Sequence, residues 1–263
     1  MWGELMAKTL FAFLAIALGA YATVAAFQGG RASTTDFRFD DIGDRSLGIS
    51  QGGRPVMVYN FGVQKKPGVP ADRQRSSYVH PLYGLDGEVL TDDFPADHLH
   101  HRGLFWAWPH VRVGYEEHDL WMLQNIRHQF ERWTEQKANS TEAVLGVENS
   151  WYVADRRVMR ETVRFIIHAR TENERAIDIE FKWMALAEPV TLSGAEGKSY
   201  GGLSLRFAPR QQTAITTDDG LQPKDLNLTR LAWADLSARF ENTPGSSGVA
   251  ILVDRRHPGF PPT

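Results

Sequence analysis

From Ala176 to Met184 the chain alternates without a break: Ile177, Ile179, Phe181 and Trp183 are set against Asp178, Glu180 and Lys182. Strict period two is the pattern of a strand with one face on a core and the other in water; a helix built from it would carry charge on every side. Upstream, Val163, Phe165 and Ile167 alternate with Arg164, Ile166 and His168, and Asn173 stands between the two runs. The pair predicts an antiparallel hairpin with a connection of about five to eight residues. Further runs that suit strands lie at 56–59, 78–80, 104–108, 143–147, 151–153, 203–207, 214–217, 231–240 and 249–253. Gly52-Gly53, Lys66-Pro67-Gly68, Asp86-Gly87 and Asp218-Asp219-Gly220 supply turns between them. Many short strands with few helical stretches predict an all-β chain, a large antiparallel β-sandwich occupying residues 37–263 as a single domain. One stretch dissents. Across 116–135, Leu120, Leu123, Ile126 and Phe130 recur at nearly helical spacing, yet strands are expected because the neighbouring segments need partners.

The 263 residues are enough for a sizeable core, and 42% hydrophobic against 23% charged residues is a globular balance. A net charge of −3 gives no bulk attraction to nucleic acid or to an anionic membrane. The absence of cysteine excludes disulfides, iron–sulfur clusters and thiol catalysis. Residues 1–26 read as a secretory signal, with Lys8 ahead of an apolar run from Leu10 onward. Small-residue cleavage patterns end at Ala22 and Ala26. The rival is an uncleaved anchor, since 9–27 carries no charge. Either way an exported, periplasmic or extracellular domain is expected, after a short linker at 27–36, with the membrane reached only through an uncleaved N-terminus.

Histidine is the informative residue. Seven of nine (His80, His98, His100, His101, His110, His118 and His128) fall between positions 80 and 128. Clustered imidazoles suit metal ligation, acid–base work or hydrogen bonding to a polar ligand. The densest polar segment is Thr91-Asp92-Asp93-Phe94-Pro95-Ala96-Asp97-His98-Leu99-His100-His101-Arg102-Gly103, just ahead of the aromatic run Leu104-Phe105-Trp106-Ala107-Trp108. If 97–102 is extended, His98, His100 and Arg102 share one face, with successive same-face residues about 6–7 Å apart. That separation fits one metal ion or two hydroxyls of a sugar ring; the bland alternative is a turn in which Asp97 caps backbone amides. A metal held by His98 and His100 needs a third ligand from elsewhere, such as His110, Glu161 or His257. No nucleophile elbow, phosphate loop, dinucleotide fingerprint or HExxH helix is present.

Several segments resemble one bacterial family: 54–60, Tyr78-Val79-His80-Pro81-Leu82-Tyr83-Gly84, the His-rich block 92–103, Tyr200-Gly201-Gly202-Leu203 with Arg206, and His257-Pro258. Together they are similar to the PmoA-like family, which carries the label "methane oxygenase PmoA". Leu99 departs from the proline expected there, and members continue for some tens of residues past the His-Pro segment, so a final strand or two is expected to be absent here. The label names a multi-span, copper-dependent membrane protein; alternating strands cannot span a bilayer as helices, so neither methane oxidation nor copper is expected. The resemblance implies instead an exported β-sandwich similar to the galactose mutarotase-like supersandwiches.

These readings converge on an exported carbohydrate-active protein whose partner is a sugar or oligosaccharide. His98, His100 and Glu161 are the expected catalytic groups of a hydrolase, lyase or epimerase. His80, Arg102, Trp106, His128, Arg206 and His257 are the expected ligand-binding residues. No cofactor is expected beyond a divalent metal at His98 and His100. The alternatives are a non-catalytic sugar-binding module and an anchored structural protein of the cell envelope.

Overall fold

The structure, a computed structural model, describes residues 35–262 apart from Ser199 and Pro244. The signal or anchor at 1–26 and most of the linker lie outside the described residues. The regular elements are β1 (Phe37–Asp41), β2 (Ser46–Gln51), β3 (Arg54–Asn60), β4 (Tyr78–Leu82), β5 (Leu104–Ala107), β6 (His110–Val113), β7 (Glu116–His118), β8 (Arg127–Ala138) and β9 (Glu142–Val153). They continue with β10 (Arg156–His168), β11 (Ile177–Ala185), β12 (Val190–Ser193), β13 (Gly202–Leu205), β14 (Arg210–Thr217), β15 (Gly220–Gln222), β16 (Trp233–Phe240) and β17 (Ser247–Leu252). A single 3-10 turn at Ala71–Arg73 is the one helical piece among the described residues, so the chain is all-β as expected. No helix there is long and apolar enough to cross a membrane.

Every strand pairing is antiparallel. One sheet runs β1-β2-β3-β4-β5-β13 and a second β11-β10-β9-β8. They pack face to face as a sandwich: Leu47, Ile49, Met57, Tyr59, Val79, Leu104 and Trp106 of the first meet Ala143, Leu145, Val147, Val163, Phe165 and Ile167 of the second. The hairpin read from alternation is β10–β11, paired from Met159↔Ala185 to Ile167↔Ile177. The runs at 143–147 and 151–153 are one strand, β9, because Glu148 to Ser150 continue the ladder without a turn. The dissenting stretch 116–135 holds two strands, β7 and β8, joined by turns in which Leu120 and Ile126 are buried; its helical spacing reflects anchor points of a loop.

Strand β5 positions the site. Its Leu104 and Trp106 face the sandwich interior, whereas Phe105 and Ala107 face a second core with Val111, Val113, Leu120, Trp121 and Ile126. Gly103, at its entry, is required by close approach: a Cβ there would lie 2.3 Å from the Val79 carbonyl oxygen. A further pair of sheets, β12-β6-β7 and β15-β14-β16-β17, flanks these cores.

Candidate functional site

The His-rich block is folded as consecutive turns. His98 N–H donates to the Pro95 carbonyl at 3.1 Å and His101 N–H to that of His98 at 2.8 Å. The extended geometry expected for 97–102 is therefore absent, and its face assignment changes. His98, His100 and His101 gather, with ring centroids 5.7, 4.7 and 4.5 Å apart. Arg102, expected beside them, turns inward and is fully buried. Its Nη1 donates to the carbonyls of Leu99 (2.9 Å) and His101 (2.6 Å), its Nη2 to that of Arg73, and its Nε lies 3.3 Å from Asp93. The guanidinium also sits 3.6 Å over the ring of Phe94, a buried residue held at φ +52°. Arg102 is thus the strut of the loop: it satisfies carbonyls that the turns leave unpaired.

On the outer side, Arg206 follows β13 and is held by its own backbone: its N–H donates to Gly103 and its carbonyl accepts from Asp92. From there Nη2 reaches both oxygens of Asp97 at 2.7 and 2.8 Å. Asp97 also lies 3.0 Å from His98 Nδ1. The two donors hold the Asp97 carboxyl well below the usual carboxylate range. A carboxylate orients His98, and an arginine orients the carboxylate. Arg206, expected on the ligand, is committed to Asp97 instead.

The remaining imidazoles are kept neutral. Burial, reinforced by Arg75, His98, Arg73 and Arg102, lowers His100 to about 4; burial and the neighbouring imidazoles lower His101 to about 3. Trp121 packs on both rings, 6.5 Å from His100 and 5.4 Å from His101, and on the exposed ring of Tyr200 at 4.8 Å. Trp121 and Tyr200 were not singled out from sequence; the one lies in the ambiguous 116–135 stretch, the other only in a resembling motif. His98 and His101 are stacked at 13°, so their nitrogens lie in parallel planes and do not converge on a point between them. Among the described residues no group of three or more His, Asp and Glu side chains is arranged to hold a metal ion.

Glu161, Trp106 and His128 form a separate cluster on the interior side of β5. Glu161 pairs across the sheet with Trp183 and Asn149. Its Oε2 accepts from Trp106 (2.8 Å), Trp151 (2.9 Å) and Trp183 (2.9 Å), and its Oε1 from Asn149 (2.9 Å). His128 Nε2 lies 3.5 Å away. Burial alone would raise this carboxyl, but His128 and the donors outweigh it and hold Glu161 below its ordinary value. Four donors converge on it, three of them on Oε2, and no surface of it is open. The expected pairing of Glu161 with His98 and His100 across one cleft is not what the fold builds. Trp106 and His128, expected against a sugar, are likewise enclosed, 1% and 4% exposed.

His80, expected on the ligand, lies on β4 with its Nδ1 3.0 Å from Thr91 Oγ1, and burial lowers it to about 4. His257 lies in an exposed turn after β17, where it hydrogen-bonds through its backbone to Asp254 and Phe260. His110 pairs with Glu117 at 3.0 Å across the β6–β7 hairpin. Neither joins the imidazole cluster.

Comparisons with curated proteins and with solved structures return no match. One family model does match, over residues 46–263, and so takes in β2 to β17 and both polar clusters. The chain belongs to the DUF6807 family, a family of unknown function.

Proposed function

We propose that this protein is an exported carbohydrate-active enzyme, a hydrolase, lyase or epimerase, that holds a sugar or oligosaccharide at the face formed by Asp97, His98, His100, His101 and Tyr200. One observation carries the reading: the Arg206–Asp97–His98 relay stands on a half-open rim beside two neutral imidazoles and an exposed aromatic ring. With Nδ1 turned to Asp97, half-exposed His98 has Nε2 left to exchange a proton with a hydroxyl or a water. Neutral His100 and His101 each offer one donor and one acceptor, the complement of a sugar hydroxyl. Tyr200, backed by Trp121, supplies an apolar plane for the C–H face of a ring. Export rests on the signal-like sequence at 1–26, and the resemblance to PmoA-like and mutarotase-like sandwiches supports the substrate class by analogy of fold.

A non-catalytic sugar-binding module is favoured by one specific observation: the only other carboxylate expected in the chemistry, Glu161, is caged away from the face. The two readings separate on His98→Ala. The wild-type protein is screened against neutral and acidic mono- and oligosaccharides by calorimetry, with products followed by NMR. Turnover that disappears in His98→Ala and Asp97→Asn while binding persists establishes the enzyme; binding with no turnover in any sugar establishes the module. Failure of every sugar to bind overturns both.

A further inference from the structure

Beneath the imidazole face lies a guanidinium with unmet donors. Arg75 is 2% exposed. Its Nη2 donates to the carbonyls of Leu120 (2.8 Å) and Trp121 (2.7 Å), whereas Nε and Nη1 are buried without a hydrogen-bond partner. It makes no ion pair among the described residues. Its guanidinium carbon stands 5.0 Å from the centre of the Phe105 ring, which in turn contacts His101 and Trp121. Three arginines nearby do have ion pairs: Arg206 with Asp97, Arg102 with Asp93, and Arg73 with Asp72. Asp119 is within Coulombic reach of Arg75, but its Oδ1 accepts from the Met122 N–H. What sets Arg75 apart is a buried guanidinium with two unmet donors and no ion pair, held where water screens it poorly, with Arg73 and Arg102 adding to the same field at His100.

A buried cation left unpaired is costly unless an anion joins it in the working state of the protein. We infer that the ligand of the His98–His101 face is an acidic sugar, and that its carboxylate is selected by the positive field of Arg75. This inference rests on the carbohydrate reading above and names the substrate class of that site. The relevant comparison is between sugars that differ only in the charged group, such as glucose against glucuronate and galactose against galacturonate.

The test is calorimetric titration of the full chain with those pairs at low salt and at about 1 M salt, where the screening length falls to about 3 Å. The acid is expected to bind about tenfold or more tighter than its neutral partner, since tenfold corresponds to only about 1.4 kcal/mol of differential interaction. The preference is expected to shrink in high salt. Asp119→Asn, which removes a neighbouring negative charge and keeps an acceptor for Met122, is expected to widen it. Arg75→Gln is expected to abolish it with neutral-sugar affinity intact. If Arg75→Gln does not fold, Arg73→Gln, on a side chain only partly buried, is expected to narrow the preference. Equal affinity for acid and neutral sugar, unmoved by Asp119→Asn, overturns the anion inference and leaves the carbohydrate reading standing. Binding of acetate but of no sugar retains the anion site and sinks the carbohydrate reading; binding of nothing sinks both.

Discussion

Two polar clusters on opposite sides of β5 treat charge in opposite ways. On the interior side, Glu161 is a single carboxylate wrapped by three indole N–H groups and an asparagine that donate to it, with His128 3.5 Å away. On the other side, the turns of 95–101 spread imidazoles over an aromatic floor, with His98 half exposed and Arg75 unanswered. A satisfied buried ion ties two sheets together; unmet donors in the same low dielectric are costly. The residue types are the same in both, histidine, tryptophan and acid. What differs is how far the central charged group of each is answered by hydrogen bonds from the protein.

The largest expected effect breaks the interior cluster. Glu161→Gln turns one end of the carboxylate into a donor facing indole donors and removes the charge beside His128, and is expected to cost about 3–5 kcal/mol in urea or thermal unfolding. A loss under about 1 kcal/mol would show that the cage is not the structural member of the pair. Trp183→Phe keeps the ring stacked on Phe181 and deletes only one donor to Glu161. Its expected cost is about 1–2 kcal/mol, because a charged acceptor loses one of several bonds.

Acid sharpens the comparison. His80, His100 and His101 are lowered from 6.5 to about 4, 4 and 3, so between pH 6.5 and 4 the unfolded chain binds protons the folded one refuses. Stability accordingly falls as pH drops through that window. Asp93, pushed by burial up from 3.8 to about 6, binds more protons when folded and opposes the trend between those values. Glu161, held below its ordinary 4.5, keeps its contribution until lower pH. Denaturation at several pH values should therefore show a slope above pH 4.5 that flattens in a His100→Gln, His101→Gln variant and is unchanged in Trp183→Phe. The smallest expected effect on stability is at the rim. His98→Ala and His100→Ala leave no apolar cavity and are expected to cost within about 1 kcal/mol, with sugar affinity or turnover falling far more. If they unfold like Glu161→Gln, the imidazole face is structural.

Much of the architecture was legible. The period-two runs at 163–167 and 176–184 mark β10 and β11 because alternation follows from the pleat itself. The density of histidines between 80 and 128 likewise marked the segment in which His98, His100 and His101 gather, because local composition is visible in the sequence. Short strands such as β2, with its Gly48, and β12 carry too little alternation to be seen.

The composition of each cluster was not legible. An extended reading of 97–102 put Arg102 with His98 and His100 and sent His101 away; two backbone turns reverse that assignment. Glu161 is answered by Trp106 from 55 residues earlier, and Asp97 by Arg206 from 109 residues later. By itself the sequence determined that this chain is all-β, where its hairpins lie and which segment concentrates its polar chemistry, because strand alternation and local composition are properties of neighbouring residues. Only the tertiary structure decided that Glu161 is sealed and His98 open, because burial and partner choice depend on strand register and sheet packing, which join residues that no local pattern relates.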